Sequence, residues 1–83
     1  MKLVYFACVR ERVGKTDEEV ALPETIETVA QLIGWLKTRG EEYEYAFEKE
    51  GVIRVAVDHV HVRPEARLAG AREVAFFPPM TGG

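Results

Sequence analysis

Thr28-Val29-Ala30-Gln31-Leu32-Ile33-Gly34-Trp35-Leu36 is the stretch whose periodicity settles the architecture. Val29, Leu32, Ile33 and Leu36 fall at i, i+3, i+4 and i+7, one stripe of an amphipathic helix. Thr28 precedes the stripe and Gln31 follows three residues later, the spacing of a capping box. Gly40 stands where a left-handed residue would close the helix. Gly34 costs about 1 kcal/mol against Ala in a helix interior and is read as permitting close approach to a sheet. Trp35 falls off the stripe and reads as a rim residue over the core edge.

On the N-terminal side, Lys2 to Val9 is an almost unbroken apolar run, which suits a central strand covered on both faces. Arg10 to Asp17 is polar and holds the turn signal Gly14-Lys15. Val20 and Leu22 alternate with Glu19 and Ala21, predicting a short second strand paired with the first as a hairpin. On the C-terminal side, Tyr43 and Phe47 lie four apart in a second helical turn with an acidic outer face. Ile53, Val55 and Val57 form a third strand. Val60 and Val62 form a short edge strand interrupted by Pro64. Val74-Ala75-Phe76-Phe77 is the last strand, stopped by Pro78-Pro79. A hairpin, a crossing helix and returning strands predict an α+β domain, a mixed sheet with one main helix packed on one face.

Composition narrows the function. The 83 residues make one domain, 1–83, with 78–83 expected to be a flexible tail. There is no run of 18 apolar residues and no signal peptide ahead of the first strand, so no membrane partner is expected. The single cysteine suits a reducing, cytoplasmic location. A net charge of −3 argues against nucleic acid as a partner. Residues 1–50 hold 11 acids and 7 bases and residues 51–83 hold 3 and 4, so the C-terminal part is nearly neutral and better suited to a protein interface.

Conventional sites are poorly supported. Gly14-Lys15-Thr16 lacks the earlier glycine of a phosphate loop, because Val9 stands there; a turn is the simpler reading. Cys8 has no cue for a lowered pKa and reads as a small buried strand residue. His59 and His61, two apart on a strand beside Asp58, would point the same way, but a zinc site needs a third or fourth ligand, so no metal is expected. Glu18-Glu19 and Glu41-Glu42 are most simply a solvated surface.

The tail is different. Pro78 and Pro79 favour an extended path rising about 3.1 Å per residue, and six residues beyond Phe77 span about 20 Å. Gly82 and Gly83 present no side chains, so a narrow channel would admit them and bring the Gly83 carboxylate close to reacting groups. Phe76 and Phe77, on opposite faces of the strand, divide between core and contact surface. With Pro78, both are candidate partner contacts, and Pro79, Met80, Thr81 and Gly82 would enter the partner's active site.

Over its full length the chain resembles the molybdopterin synthase small subunit (MoaD) family, ubiquitin-like β-grasp sulfur carriers. The resemblance rests on Phe6-Ala7-Cys8-Val9-Arg10-Glu11, the Thr28-Val29 helix start, Val55-Ala56-Val57-Asp58 and, above all, Glu73 to Gly83. Departures are Asp58, where Asn is usual, the turn Gly70-Ala71-Arg72-Glu73 and Met80. The resemblance implies a β-grasp fold and a cytoplasmic sulfur carrier. An E1-like adenylating enzyme (MoeB-like), using ATP and Mg, would adenylate Gly83. A sulfur donor such as a cysteine desulfurase or rhodanese would convert it to a thiocarboxylate. The carrier would then dock on a large subunit (MoaE-like) in a heterotetramer and pass sulfur to cyclic pyranopterin monophosphate for molybdenum cofactor biosynthesis. By this reading the chain is no enzyme on its own and binds no cofactor; the catalytic groups belong to the large subunit. The Gly-Gly end by itself fits equally a ubiquitin-like protein modifier or a carrier serving thiamine synthesis or tRNA thiolation.

Overall fold

A computed structural model describes residues 1–79 of the chain. The expected tail residues Met80, Thr81, Gly82 and Gly83, and the flexibility expected of them, lie outside the described residues. In chain order the elements are β1 (Lys2–Tyr5), α1 (Ala7–Val13), β2 (Asp17–Glu19), α2 (Val29–Lys37), α3 (Glu41–Ala46), a 3-10 turn (Glu50–Val52), β3 (Arg54–Val57), β4 (Val60–Val62) and β5 (Glu73–Phe77). The strands form one sheet in the order β2-β1-β5-β3-β4. Only β1 and β5 run parallel; the other neighbours are antiparallel. This is the β-grasp arrangement, a mixed sheet gripping α2.

The helix expected from the Val29 stripe is present, and its stripe is the centre of the core. Val29, Leu32, Ile33 and Leu36 are all buried, and both arms of the Thr28–Gln31 capping box are formed. Two glycine expectations are corrected. The helix ends at Thr38 in an ordinary right-handed conformation, and Gly40 instead starts α3 with extended backbone. A Cβ at Gly34 would meet nothing within 4 Å, so that glycine permits no close approach. Tyr43 and Phe47 are buried as expected, beside exposed Glu41, Glu42 and Glu44. Trp35 is partly buried against the core, with the Arg39 guanidinium 5.2 Å from its ring.

The N-terminal third departs most from expectation. The apolar run is a strand only to Tyr5; Ala7 then turns through φ 51 and begins a helix. Val9 and Val13, four apart, bury the inner face of that helix. Gly14 closes it at φ 85, a left-handed position where glycine carries no steric penalty, and donates its N–H to Arg10 O at 2.8 Å. β2 pairs with β1 as expected, but the link between them is α1 rather than a tight turn. The strand also falls at Asp17–Glu19 rather than around Val20 and Leu22, which pack beside the core.

Register divides the sheet into two unlike faces. Leu3, Val74 and Val57 form one row, and Tyr5, Phe76, Val55 and Val62 another; these rows meet the helices. Val4, Ala75, Ala56 and His61 form a row on the opposite face, to which Phe77 also belongs by alternation. A polar lock stands at the other side of the core. The Glu18 carboxylate accepts from Tyr5 Oη (2.7 Å), Tyr43 Oη (2.6 Å) and Arg39 (3.0 Å), tying β2, β1 and α3 to the residues just beyond α2. Burial alone would raise this carboxyl; the hydrogen bonds from Tyr43, Tyr5 and Arg39 outweigh it and hold the pKa at about 2. Burial and then the Glu18 contact push the Tyr5 phenol well above its ordinary value.

Candidate functional site

The root of the tail is built by β5. This strand is the middle of five, flanked by β1 and β3, so its course is fixed from both sides. Phe76 anchors it. Its side chain is fully buried, stacked 5.9 Å from the Tyr5 ring and edge-on to Phe47 at 5.1 Å. That corrects its assignment as a partner contact: no surface remains to offer a partner, and the residue belongs to the core. Phe77 faces the other way. It is partly exposed, lies opposite Arg54 in register, and sits 5.2 Å from the His61 ring. Phe6, whose N–H donates to Phe76 O at 3.0 Å, is 47% exposed beside it.

Pro78 and Pro79 then end the ladder, since neither has an N–H to donate. Both are half-buried and line a groove of about 130 Å³ with Cys8, Arg12, Lys49, Val52 and Ile53. The proline pair therefore shares a groove with α1 and the segment around the 3-10 turn, and its fixed φ angles restrict the path by which the chain leaves the sheet. Two cations border this exit. Arg12 stacks 4.1 Å over Tyr45 and bonds to Tyr45 O and Glu48, while Lys49 is exposed. An apolar strand end with a proline-stiffened exit and a basic margin presents a chain segment; it does not assemble acids and bases around a cavity.

The other sequence candidates do not converge. Cys8 is exposed on α1 rather than buried in a strand, which corrects that reading. Gly14-Lys15 caps the C-terminal end of a helix, where a phosphate loop needs an N-terminal end; Lys15 Nζ instead reaches Tyr43 Oη at 3.0 Å. Asp58 and His59 form the two-residue turn between β3 and β4 at φ 47 and 71, so His59 does not share a strand with His61. Asp58 is a structural cap: its Oδ1 accepts from the N–H groups of Arg72 and Glu73, each at 2.9 Å. Among the described residues, no three His, Cys, Asp or Glu side chains gather as a metal site would require. No described helix is long and apolar enough to cross a membrane.

Comparison with known proteins gives the same assignment. Residues 3–83 match the ThiS family. The chain belongs to the ThiS family. Among its relatives is the molybdopterin synthase sulfur carrier subunit of Escherichia coli (strain K12), 37% identical over 83 residues, the whole of this chain and 99% of that protein. The subunit of the same description from Haemophilus influenzae is 30% identical over the same span. The resemblance read from the tail is thus borne out. A Pyrococcus furiosus structure assigned as molybdopterin converting factor, subunit 1, superposes with a TM-score of 0.74 at 30% identity, covering 95% of each chain. SAMP1 from Haloferax volcanii has a TM-score of 0.73 at 23% identity, covering 100% of this chain and 98% of that one, and shares the fold. Sequence reasoning missed Phe6 and the groove under the prolines. The Val9–Val13 spacing ahead of Gly14 was the signal that would have found α1, and with it both features.

Proposed function

We propose that this ThiS-family chain is a sulfur carrier of molybdopterin synthase, with the Gly83 carboxylate as the carrying group. The observation that carries this reading is the full-length relationship, running through Gly83, to a molybdopterin synthase sulfur carrier subunit. The geometry at the tail root supports it, because a strand anchored by Phe76 runs directly into two prolines of restricted φ, which border a groove rather than enter the core.

In this reading an E1-like enzyme joins a Gly83 carboxylate oxygen to the α-phosphorus of ATP, and pyrophosphate leaves. The terminal sulfur of a donor protein's cysteine persulfide attacks the acyl carbon, and AMP departs with the electrons of the C–O bond. A second thiol then attacks the donor cysteine's sulfur in the acyl disulfide, forming a disulfide with it and releasing the thiocarboxylate. The resulting thiocarboxylate enters the large subunit's active site with Pro79, Met80, Thr81 and Gly82. Its sulfur bonds to a side-chain carbon of cyclic pyranopterin monophosphate, displacing an oxygen leaving group. Water then hydrolyses the acyl–sulfur bond, leaving the sulfur on the pterin and restoring the Gly83 carboxylate. The first carboxylate is unreactive because it is ionised at neutral pH, which is why activation is required. Phe77 and Pro78 dock the body in the cytoplasm, and the partners supply the acids and bases.

Intact-mass measurement after incubation with an E1-like enzyme, Mg-ATP and sulfide tests this. The expected gain is one oxygen-to-sulfur exchange, located at Gly83 by fragmentation. Absence of that gain in a competent activating system, or its location elsewhere, overturns the proposal. Recovery of a thiazole synthase instead of a molybdopterin synthase large subunit in a pull-down would redirect it to thiamine synthesis, and ladders of lysine conjugates would redirect it to protein modification.

A further inference from the structure

The sheet has two free edges, and the sequence treats them differently. β2 is Asp17-Glu18-Glu19, three carboxylates, and charge at an edge discourages another strand from pairing. β4 is Val60-His61-Val62, with no acid, lysine or arginine, and Val60 is 62% exposed. A hydrophobic edge left without charge invites β-addition. Beside this edge, between it and α2, lies a cleft of about 470 Å³ with Ala30, Ile33, Val55 and Val62 on its walls. Arg54 and Arg63 border it, each one residue from Val55 or Val62 and so on the opposite face by alternation, and no carboxylate is among the described lining residues. Its volume lies in the range of clefts that bind ligands. Val55 and Val62 place the cleft on the helix side of the sheet, whereas Phe77 and His61 lie on the opposite face.

We propose that β4 and this cleft form a second docking site, for an extended segment of another protein in which branched apolar residues alternate with Asp or Glu. Such a segment adds a sixth strand beside β4. Because side chains alternate along a strand, one set enters the cleft between α2 and β4 while the backbone pairs with the edge. The carboxylates between them meet Arg54 and Arg63. Charge selects the partner: Arg54 and Arg63 flank this edge of a chain whose net charge is −3, and no acid is among the described residues lining the cleft, so an acidic segment gains attraction here that it finds nowhere on β2. The site is independent of the tail and of the sulfur-carrier reading.

The test is an NMR titration of ¹⁵N-labelled protein with the peptide acetyl-Asp-Val-Glu-Ile-Asp-Val-Glu-amide. Expected are saturable shifts at Val60–Arg63, Ala30 and Ile33, weakening with salt. Arg63→Glu should bind about fivefold more weakly, as loss of an exposed ion pair plus repulsion implies. A peptide with lysine at every acidic position, and one N-methylated on alternate amides, should both fail to bind. The Arg63→Glu variant is first matched to the parent in thermal melting, and the salt dependence of the parent stands independently of that variant. The proposal is overturned by absence of shifts, by shifts centred on Phe77 and Pro78, or by equal binding of the lysine peptide. Equal binding of the methylated peptide, or shifts at β4 that grow with protein concentration alone, would show an adsorbed amphiphile or a second copy instead and overturn it too.

Discussion

At the scale of single residues, two carboxylates look like surface charge in the sequence and act as fasteners in the fold. Glu18 is 11% exposed and accepts from two phenols and a guanidinium. Its pKa is depressed from 4.5 to about 2, so its contribution is complete above pH 4.5 and lost as the pH falls through 2. Acid titration of the parent should therefore show stability falling between about pH 5 and 2, by up to about 3 kcal/mol from this group. Glu18→Gln, measured by urea unfolding across that range, should be less stable at neutral pH and nearly flat below it. An equal acid slope in both proteins would assign the loss to other carboxylates. Asp58 works through its backbone bonds, which hold its carboxyl below the ordinary value. Asp58→Ala should lower the melting temperature, while Asp58→Asn keeps both an acceptor for Arg72 and Glu73 and a residue tolerant of φ 47. A matching loss in both variants would mean the charge, not the cap, matters.

At the scale of elements, β5 buries Phe76 and leaves its neighbour Phe77 partly exposed on the opposite face. Phe76→Ala removes a ring packed against Tyr5 and Phe47 and should cost about 3–5 kcal/mol, enough to unfold much of an 83-residue domain. Phe77→Ala, on the opposite face, should change unfolding free energy by less than about 1 kcal/mol yet weaken capture of the large subunit in a binding assay. Equal losses of stability would refute the two-faced reading. The cap on α2 gives a smaller, separable effect: Thr28→Ala removes an acceptor for Gln31 N–H and should cost about 1 kcal/mol, or roughly 4–8 °C in Tm. These elements were legible because their patterns are local. Four apolar residues on one stripe make α2, and alternation ended by prolines makes β5. α1 was overlooked because an apolar strand runs straight into it: Val9 reads as the end of that run, which hides its helical spacing to Val13 ahead of Gly14. The sheet order was hidden for another reason: that β5 inserts between β1 and β3 is a long-range pairing with no local signal. Of the candidate site, the proline exit was readable from residue type and the division of Phe76 and Phe77 between two faces from alternation, whereas which of the two is buried required knowing which face the helices cover.

At the scale of the whole molecule, the proposed function puts folding and chemistry in different parts of the chain. The buried cluster runs from Leu3 to Phe76, and among the described residues every strand pairing lies at or before Phe77. The proposed reacting atom lies six residues beyond the last of these. A body organised this way leaves the end free to change state without altering the core, provided the end makes no required contact with it. Deletion of Gly82 and Gly83 therefore separates the two functions. The truncated protein should melt within about 4 °C of the parent, because substitutions away from packed features rarely exceed ±0.5 kcal/mol. It should still be captured by the large subunit through Phe77 and Pro78, and should compete with the intact carrier in a synthase assay. It should form no thiocarboxylate and support no sulfur transfer. Retained sulfur transfer would place the carrying group elsewhere. A large fall in melting temperature would mean that the end is part of the fold, and the division between a presenting body and a reacting terminus would fail with it.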